Sequence, residues 1–484
     1  MTTHIFHSLR QSSADIRLLW FSVFVRMVSF GLTNQVVTLY LTEIGISEVH
    51  VGWFMSLTMI GDSIISYLLT WNAHKIGNRF IMLLGSALMI LASAIFASGT
   101  KDFNILLFAA IIGVISPSGN DTGPFKTIEE TVLANLTPPN HRPEIYAIHS
   151  VLGYTGASVG SFTAGLVVDH LTLKRGFSYK KAYRYSFYLI VFTSVLKFLS
   201  LLFVSSKAEP SYIPPYKLTN SEASVSDTVN DSICEHGELG EPDTSAQIPS
   251  RQPSHSSLST STERTPLTAI TSTVEHTTLT GLSPSTQRTL FKLLVPFMLD
   301  SFGYGFTPNA WVVYYFERRY HVKAIVLGVL FGTSGILMSA SAIPSAWFAK
   351  RFGPIKSSIF TQIPCGIFFM LIPILGVTFP AAAVWWMLNQ LTTGFDVVPR
   401  QIILTSLIEP TELTKVMGTV NIGKQVARSV SPYFTGYFAE AGMLWVCFII
   451  TGVLLILANV ILAIDFADLD NKVRAMEQHH HDIV

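Results

Sequence analysis

Charge is scarce in this 484-residue chain: Asp, Glu, Lys and Arg make up 13% of it, about half of the ~25% usual in soluble domains. With 49% of residues hydrophobic and a mean hydropathy of +0.44, too little polar surface remains to coat a globule. That excludes a soluble protein and turns most of the surface toward lipid. An excess of one sign is also missing. Thirty-two basic residues against 31 acidic ones leave a net charge of +1, which offers no electrostatic footprint for nucleic acid or acidic polymers. Cysteine is nearly absent. Cys234, Cys365 and Cys447 are odd in number and far apart, two of them in apolar runs, so neither a disulfide framework nor a metal site is built from them. The first 16 residues carry His4, His7, Arg10 and Asp15 and no apolar core, so no cleavable signal peptide is expected and the first membrane helix targets the chain. No nucleophile elbow, HExxH, Walker lysine loop or strand-to-helix GxGxxG occurs. ATP-driven transport and membrane enzymology therefore have no visible site, no cofactor is expected, and energy has to come from a gradient.

What is present is a series of apolar stretches of about 20 residues, the length that crosses a bilayer. They predict helices near 18–42, 50–71, 80–99, 104–134, 145–168 and 184–205, then near 289–316, 325–348, 357–377, 381–406, 416–439 and 444–465. From 207 to 287 Ser, Thr, Pro and Glu dominate, with nothing aromatic after Tyr216. Such a segment cannot bury a core and is expected to be disordered. The expected organisation is an N-terminal segment 1–17, a six-helix bundle 18–206, a Ser/Thr-rich linker 207–287, a second six-helix bundle 288–465 and a tail 466–484. Basic residues in short connections favour both termini in the cytosol: Arg10, Arg17, Lys75, Arg79, Arg142, Lys350, Arg351, Lys356, Lys415, Lys472 and Arg474 fall on that side. Lys174, Arg175, Lys180, Lys181, Arg318, Arg319 and Lys323 run against the bias. With that orientation the linker sequon Asn230-Asp231-Ser232 is cytosolic and unglycosylated.

The two bundles repeat one another. A shift of about 276 positions places Val51-Gly52 on Leu327-Gly328, Trp71-Asn72-Ala73 on Trp347-Phe348-Ala349 and Gly77 on Gly353. Near 275 positions Asn34 meets Asn309, and at about 271 Leu136, Pro139 and Gly165 meet Leu407, Pro410 and Gly436. The matches fall in chain order at the same helix of each half, which indicates a six-plus-six duplication with its site between the halves near mid-membrane.

The loop Thr70-Trp71-Asn72-Ala73-His74-Lys75-Ile76-Gly77-Asn78-Arg79 resembles the cytoplasmic signature G-x-L-A-D-R-x-G-R-R of the major facilitator superfamily. Ala73, Lys75, Gly77 and Arg79 fit it; Thr70, Asn72 and His74 replace Gly, Leu and Asp. In the family that Asp joins a charge relay holding the inside gate closed. The resemblance thus marks His74, Lys75 and Arg79 as gate candidates, with a relay altered or made pH-dependent at His74, and Lys350 and Arg351 in the repeat loop with them. In the fifth helix, Gly156, Gly160, Ser161 and Gly165 are similar to the antiporter motif G-x-x-x-G-P-x-x-G-G, with Ser161 for Pro and Ala164 for Gly. Small-residue helix packing serves the same spacing. The resemblance covers all twelve spans. It implies an all-α polytopic membrane protein of twelve transmembrane helices in two six-helix pseudo-repeats, acting on a small-molecule substrate without cofactor or metal, as a monomer.

Ionisable groups within spans cost about 2.5–3.5 kcal/mol each on the insertion scale, so each needs a partner, water or a task. Ser116-Pro117-Ser118-Gly119-Asn120-Asp121-Thr122-Gly123-Pro124 packs two prolines and two glycines into the fourth span. It predicts a broken helix with Asn120 and Asp121 at a polar site. Lys126 can pair along its helix with Glu129 or Glu130, and Asp396 with Arg400. Glu129 and Arg400 coincide in the repeat, which suggests pairs that exist in one state and break in the other. Arg26 and Asp300, at comparable depth in the first and seventh helices, are candidate partners for each other, a substrate or a proton. Asn34, Gln35, Tyr304, Asn309 and Gln390 add hydrogen-bonding groups, and Asp62, Lys424 and Arg428 extend the network. Lys197 is expected to snorkel from a lipid-facing helix, Trp385 and Trp386 to sit at the membrane interface, and His479, His480 and His481 to be solvated. The reading is a secondary active transporter of a small organic solute, with the antiporter-like motif tilting it to proton-coupled export of a metabolite or xenobiotic. Uptake of a nutrient or anion is the alternative, and a non-transporting receptor or scaffold the rival class. The plasma membrane is favoured over a vacuolar or other internal one.

Overall fold

The computed structural model describes residues 12–113, 124–138, 141–209, 283–408, 410–467 and 469–470, and among them every regular element is helical. The first half contains α1 (Ala14–Glu43), α2 (Glu48–Trp71), the one-turn α3 (Ala73–Ile76), α4 (Asn78–Ser98), α5 (Phe103–Ile112), α6 (Pro124–Leu136), α7 (Arg142–Asp169) and α8 (Tyr179–Leu202). The second contains α9 (Pro284–Phe306), α10 (Asn309–Tyr320), α11 (Ala324–Phe352), α12 (Pro354–Leu375), α13 (Phe379–Gly394), α14 (Val397–Leu407), α15 (Pro410–Glu440) and α16 (Trp445–Asp465). These make twelve spans. The seventh and tenth are each built of two helices, α9 with α10 and α13 with α14; the described parts of the fourth are α5 and α6.

The boundaries follow the predicted runs, with the seventh and tenth spans interrupted where one unbroken helix was expected. In the seventh, Pro308 lacks an N–H and sits extended (φ −61°, ψ 150°) as N-cap of α10. In the tenth the chain turns at Phe395 and Asp396 before α14 begins. α5 stops at Gly113 and α6 starts on Pro124; the predicted break with Asn120 and Asp121 lies outside the described residues. Most turns with positive φ hold glycine, His321 (φ 49°) being the exception among the described residues. Gly77 (φ 93°) and Gly353 (φ 90°), paired by the repeat, cap α4 and α12 at the end of the molecule where residues 209 and 284 lie. We call this the linker end and its opposite the far end.

Packing within each half joins α1 with α7 and α8, and α9 with α15 and α16. Between the halves, α2 lies on α15, α7 on α11, and α1 on α10. The first two crossings are made by the glycines that the repeat aligns. A Cβ on Gly52 would stand 2.9 Å from Gly436 Cα, and one on Gly328 would stand 3.1 Å from Gly165 Cα. Only hydrogen at these positions allows such backbone approach, the way small residues bring membrane helices together. The larger buried apolar cluster spans both halves, with Tyr40, Phe54 and Phe96 on one side and Trp311, Phe316 and Trp386 on the other. A smaller cluster around Leu19, Trp20, Ile81 and Val132 belongs to the first half alone. Helices α6 and α14, at the linker end, pack chiefly on helices of their own half.

Candidate functional site

Two buried ion pairs occupy pseudo-equivalent places, with their charges exchanged. In the first half Arg26 on α1 donates from Nη2 to Glu129 Oε2 on α6 at 3.0 Å. The Glu129 side chain is 0% exposed and that of Arg26 12%. Ser22, one turn before Arg26, places its hydroxyl 3.4 Å from Glu129 Oε1, and Lys197 Nζ on α8 stands 3.6 Å from the same oxygen. Buried His149 on α7 lies near enough to act on this carboxylate electrostatically.

In the second half Arg400 on α14 makes a two-pronged contact with Asp300 on α9, Nη1 to Oδ2 and Nη2 to Oδ1, both 2.7 Å. It also donates from Nε to Asp396 one turn earlier. Asp396 accepts in addition from Ser358 on α12 at 2.5 Å, and that serine reaches Asn459 on α16 at 3.3 Å. Side-chain exposure is 18% for Arg400 and 5% for Asp300. A crevice beside the pair is lined by Pro296, Phe297, Asp300, Arg400, Ala458, Asn459 and Leu462. Phe297 offers its face to Arg400 at 5.4 Å and to Lys424 at 5.9 Å. Fixed geometry of this kind follows from the planar guanidinium, which matches a carboxylate at both prongs.

The expected partners differ from those observed. Arg26 and Asp300 do not pair with each other; each bonds within its own half. Glu129 takes Arg26 and Lys197, while the Lys126 side chain lies outside the described residues; Glu130 keeps contacts of its own. The Asp396–Arg400 pair forms along the chain as expected. Lys197 is not a snorkelling residue: its side chain is 0% exposed and turned inward to Glu129. Trp386 is not an interfacial anchor either, because it is buried and donates from Nε1 to Ser334 Oγ at 2.9 Å, while Trp385 stacks on Phe368.

Of the other candidates, Asn34 and Gln35 are buried on α1, and neither Asn34 Oδ1 nor its Nδ2 has a hydrogen-bond partner. Tyr304 is half-buried and donates to Gln362 Oε1 at 3.4 Å. Asn309 is exposed at the start of α10. Gln390 donates to neighbouring Asn389, and Asp62 is buried and accepts from Ser66. Of the gate candidates, Lys75 and Arg351 are exposed, and Arg79 donates to the Leu202 carbonyl at 2.7 Å. The side chains of His74 and Lys350, and the whole of His479, His480 and His481, lie outside the described residues. In the antiporter-like motif, a Cβ on Gly156 would stand 2.4 Å from Phe24 O, and one on Gly160 2.1 Å from Val28 O; Gly165 faces Ala324 O of the other half. Ser161 reaches Gly31 O at 3.5 Å. Helix packing is what these residues do in this conformation. Ser22, Ser358 and Asn459 escape a reading of the sequence, since a hydroxyl or amide in an apolar helix carries no mark of what it touches. Among the described residues no cluster of three or more His, Cys, Asp or Glu could hold a metal ion.

Comparison with known proteins agrees with this architecture. The chain is 40% identical over 482 residues to an uncharacterized membrane protein of Saccharomyces cerevisiae, YJR124C, covering 99% of this chain and 100% of that one. It is 24% identical over 155 residues to the quinolone resistance protein NorA of Staphylococcus aureus, covering 32% of this chain and 38% of NorA. In fold it resembles a D-xylose-proton symporter with a TM-score of 0.62 at 13% identity, over 92% of this chain and 95% of the other. The sequence profile of the Major Facilitator Superfamily matches residues 19–306 and 278–475. Twelve spans in two pseudo-repeats, crossing at paired glycines and carrying mirrored ion pairs, thus make this chain a member of the Major Facilitator Superfamily, a multi-pass membrane transporter and not an enzyme.

Proposed function

We propose that the protein moves a small organic solute by alternating access, driven by a proton gradient, and that it works in export. The observation that carries this reading is the pair of mirrored ion pairs, Arg26–Glu129 and Asp300–Arg400. Each ties together the pseudo-equivalent spans of one half, first to fourth and seventh to tenth, and each leaves its arginine the more exposed member. Charges buried at such cost persist where they have work to do. A proton or a charged solute arriving at either pair can change its partners, and duplicated bundles of this kind hold their substrates between the halves. Export is supported by the antiporter-like glycines of α7 and by the local similarity to a quinolone resistance protein. With both termini and the linker in the cytosol, the far end, where the halves are joined, faces outward.

A second reading is uptake, or movement of an anion in either direction. The exposure of Arg26 and Arg400 above that of their carboxylates favours it, because a solute would meet guanidinium first. One experiment separates the readings. Sealed vesicles containing the purified protein are offered a pooled metabolite extract, with and without an imposed pH gradient, and contents are read by mass spectrometry. Movement of a solute against its own gradient only when the proton gradient opposes it supports proton-coupled export. Movement in the same direction as the protons supports uptake, and no movement by folded protein supports a receptor or scaffold.

A further inference from the structure

The far end is fastened by a repeated contact between the halves. Asp169, at the C-terminus of α7, accepts from the backbone amides of Ala324 at 3.1 Å and Ile325 at 3.2 Å, the first residues of α11 in the other half. Glu440, at the C-terminus of α15, accepts from the amide of Val49 at 3.2 Å, in the first turn of α2 in the first half. Asp169 and Glu440 are separated by about 271 positions and Val49 and Ile325 by about 276, the two spacings that align Gly165 with Gly436 and Gly52 with Gly328. The same device is therefore built twice. A carboxylate ending one helix caps the N-terminus of a helix from the opposite half, one turn beyond the glycine where those two helices cross. The opening amides of a helix have no partner within it and carry its positive dipole end, so a carboxylate there meets both needs. Most caps come from the helix's own chain just upstream, as Asp102 caps α5 through Asn104 and Ile105. The N-cap residue of α11, Lys323, makes no side-chain cap bond, which leaves the task to Asp169. Tyr314 on α10 adds a cross-half bond of its own, donating to Glu48 Oε1 at 2.6 Å.

We propose that Asp169 and Glu440 form a pseudo-symmetric latch that holds the far end shut, and that releasing both caps shifts the molecule toward the conformation open at that end. The proposal rests on alternating access but needs neither a substrate nor a direction of transport. In the latched state the α2–α15 and α7–α11 crossings act as pivots, and the two caps supply the stops. When the far end parts, three backbone amides and two carboxylates return to water together, so the latch resists opening.

Hydrogen–deuterium exchange on the purified full-length protein in detergent tests this. The variants are Asp169→Ala with Glu440→Ala, and Asp102→Ala as a cap confined to one half. The double variant is expected to exchange about tenfold faster at residues 47–52 and 322–328, the rate change of about 1.4 kcal/mol in lost charge-assisted hydrogen bonding. Residues 72–78 and 350–356, at the linker end, are expected to exchange more slowly, because opening one end closes the other. Asp102→Ala is expected to alter only its own helix. Should the double variant fail to fold, Asp169→Asn with Glu440→Gln keeps one acceptor oxygen in each cap and gives the same opposed shifts at smaller size. Faster exchange at the far end with an unchanged linker end would reduce both carboxylates to ordinary helix caps and overturn the latch, as would no change at either end. The vesicle assay above stands or falls independently of this outcome.

Discussion

The two halves solve one problem with opposite charges. In the first, a single carboxylate, Glu129, is shared by Arg26 and Lys197; in the second, a single guanidinium, Arg400, is shared by Asp300 and Asp396. The duplication has thus kept the place of the ion pair, bridging the first and fourth spans of each half, while exchanging which span carries which sign. Position is what the fold retains, and the sign is free to differ. The consequence is an unequal dependence on the central group. Removal of Glu129 strands two buried cations, whereas removal of Asp300 leaves Arg400 with Asp396 still in contact.

That inequality can be broken directly. Glu129→Gln is expected to destabilise the protein by about 3–5 kcal/mol, the cost of leaving a buried charge uncompensated. Asp300→Asn is expected to cost about 1–3 kcal/mol, because Arg400 keeps its bond to Asp396 and one acceptor oxygen at position 300. Unfolding midpoints in detergent compare the two, and equal losses would contradict the sharing just described. The glycine crossings should by contrast behave alike. Gly52→Ala and Gly165→Ala each force a methyl against backbone of the opposite half, at about 1–3 kcal/mol per site; a loss at one with none at the other would show that the two crossings are not equivalent.

Smaller effects test the residues whose placement differs from what their sequence suggests. Trp386→Phe removes the donor to Ser334 and should lower stability by about 1 kcal/mol, where an interfacial anchor would tolerate the change. Lys197→Met should stay within about 1 kcal/mol of the parent, since Glu129 keeps Arg26 and an apolar chain of similar length fills the space. A loss as large as that of Glu129→Gln would make Lys197, and not Arg26, the partner that matters.

Most of the fold is legible in the sequence, because hydrophobic length and the spacing of small residues are one-dimensional signals. The twelve runs, the shift near 276 and the glycine matches are such signals, and Gly52, Gly165, Gly328 and Gly436 are the residues at which the halves cross. The breaks at Pro308 and Asp396 are only partly legible, because an internal proline can also be absorbed within a helix, as Pro296 and Pro344 are. The charged groups announce themselves by the cost of burying them, so Arg26, Glu129, Asp300, Asp396 and Arg400 are candidates from sequence alone. Their partners are not, since which faces of which helices meet is decided by packing. Lys197 and Trp386 illustrate this: each has a common place in membrane helices, and each is turned inward here by a specific neighbour, Glu129 or Ser334.

The most direct test of the mirrored pairs as transport machinery is solute counterflow in vesicles with Arg400→Lys, set against the parent protein and using the solute found in the pooled screen. Lysine keeps the charge and cannot make the two-pronged contact to Asp300. The expected result is that counterflow falls at least about tenfold while the unfolding midpoint shows the bundle still folded. Counterflow at the parent rate in the folded variant would contradict a transport role for the Asp300–Arg400 pair.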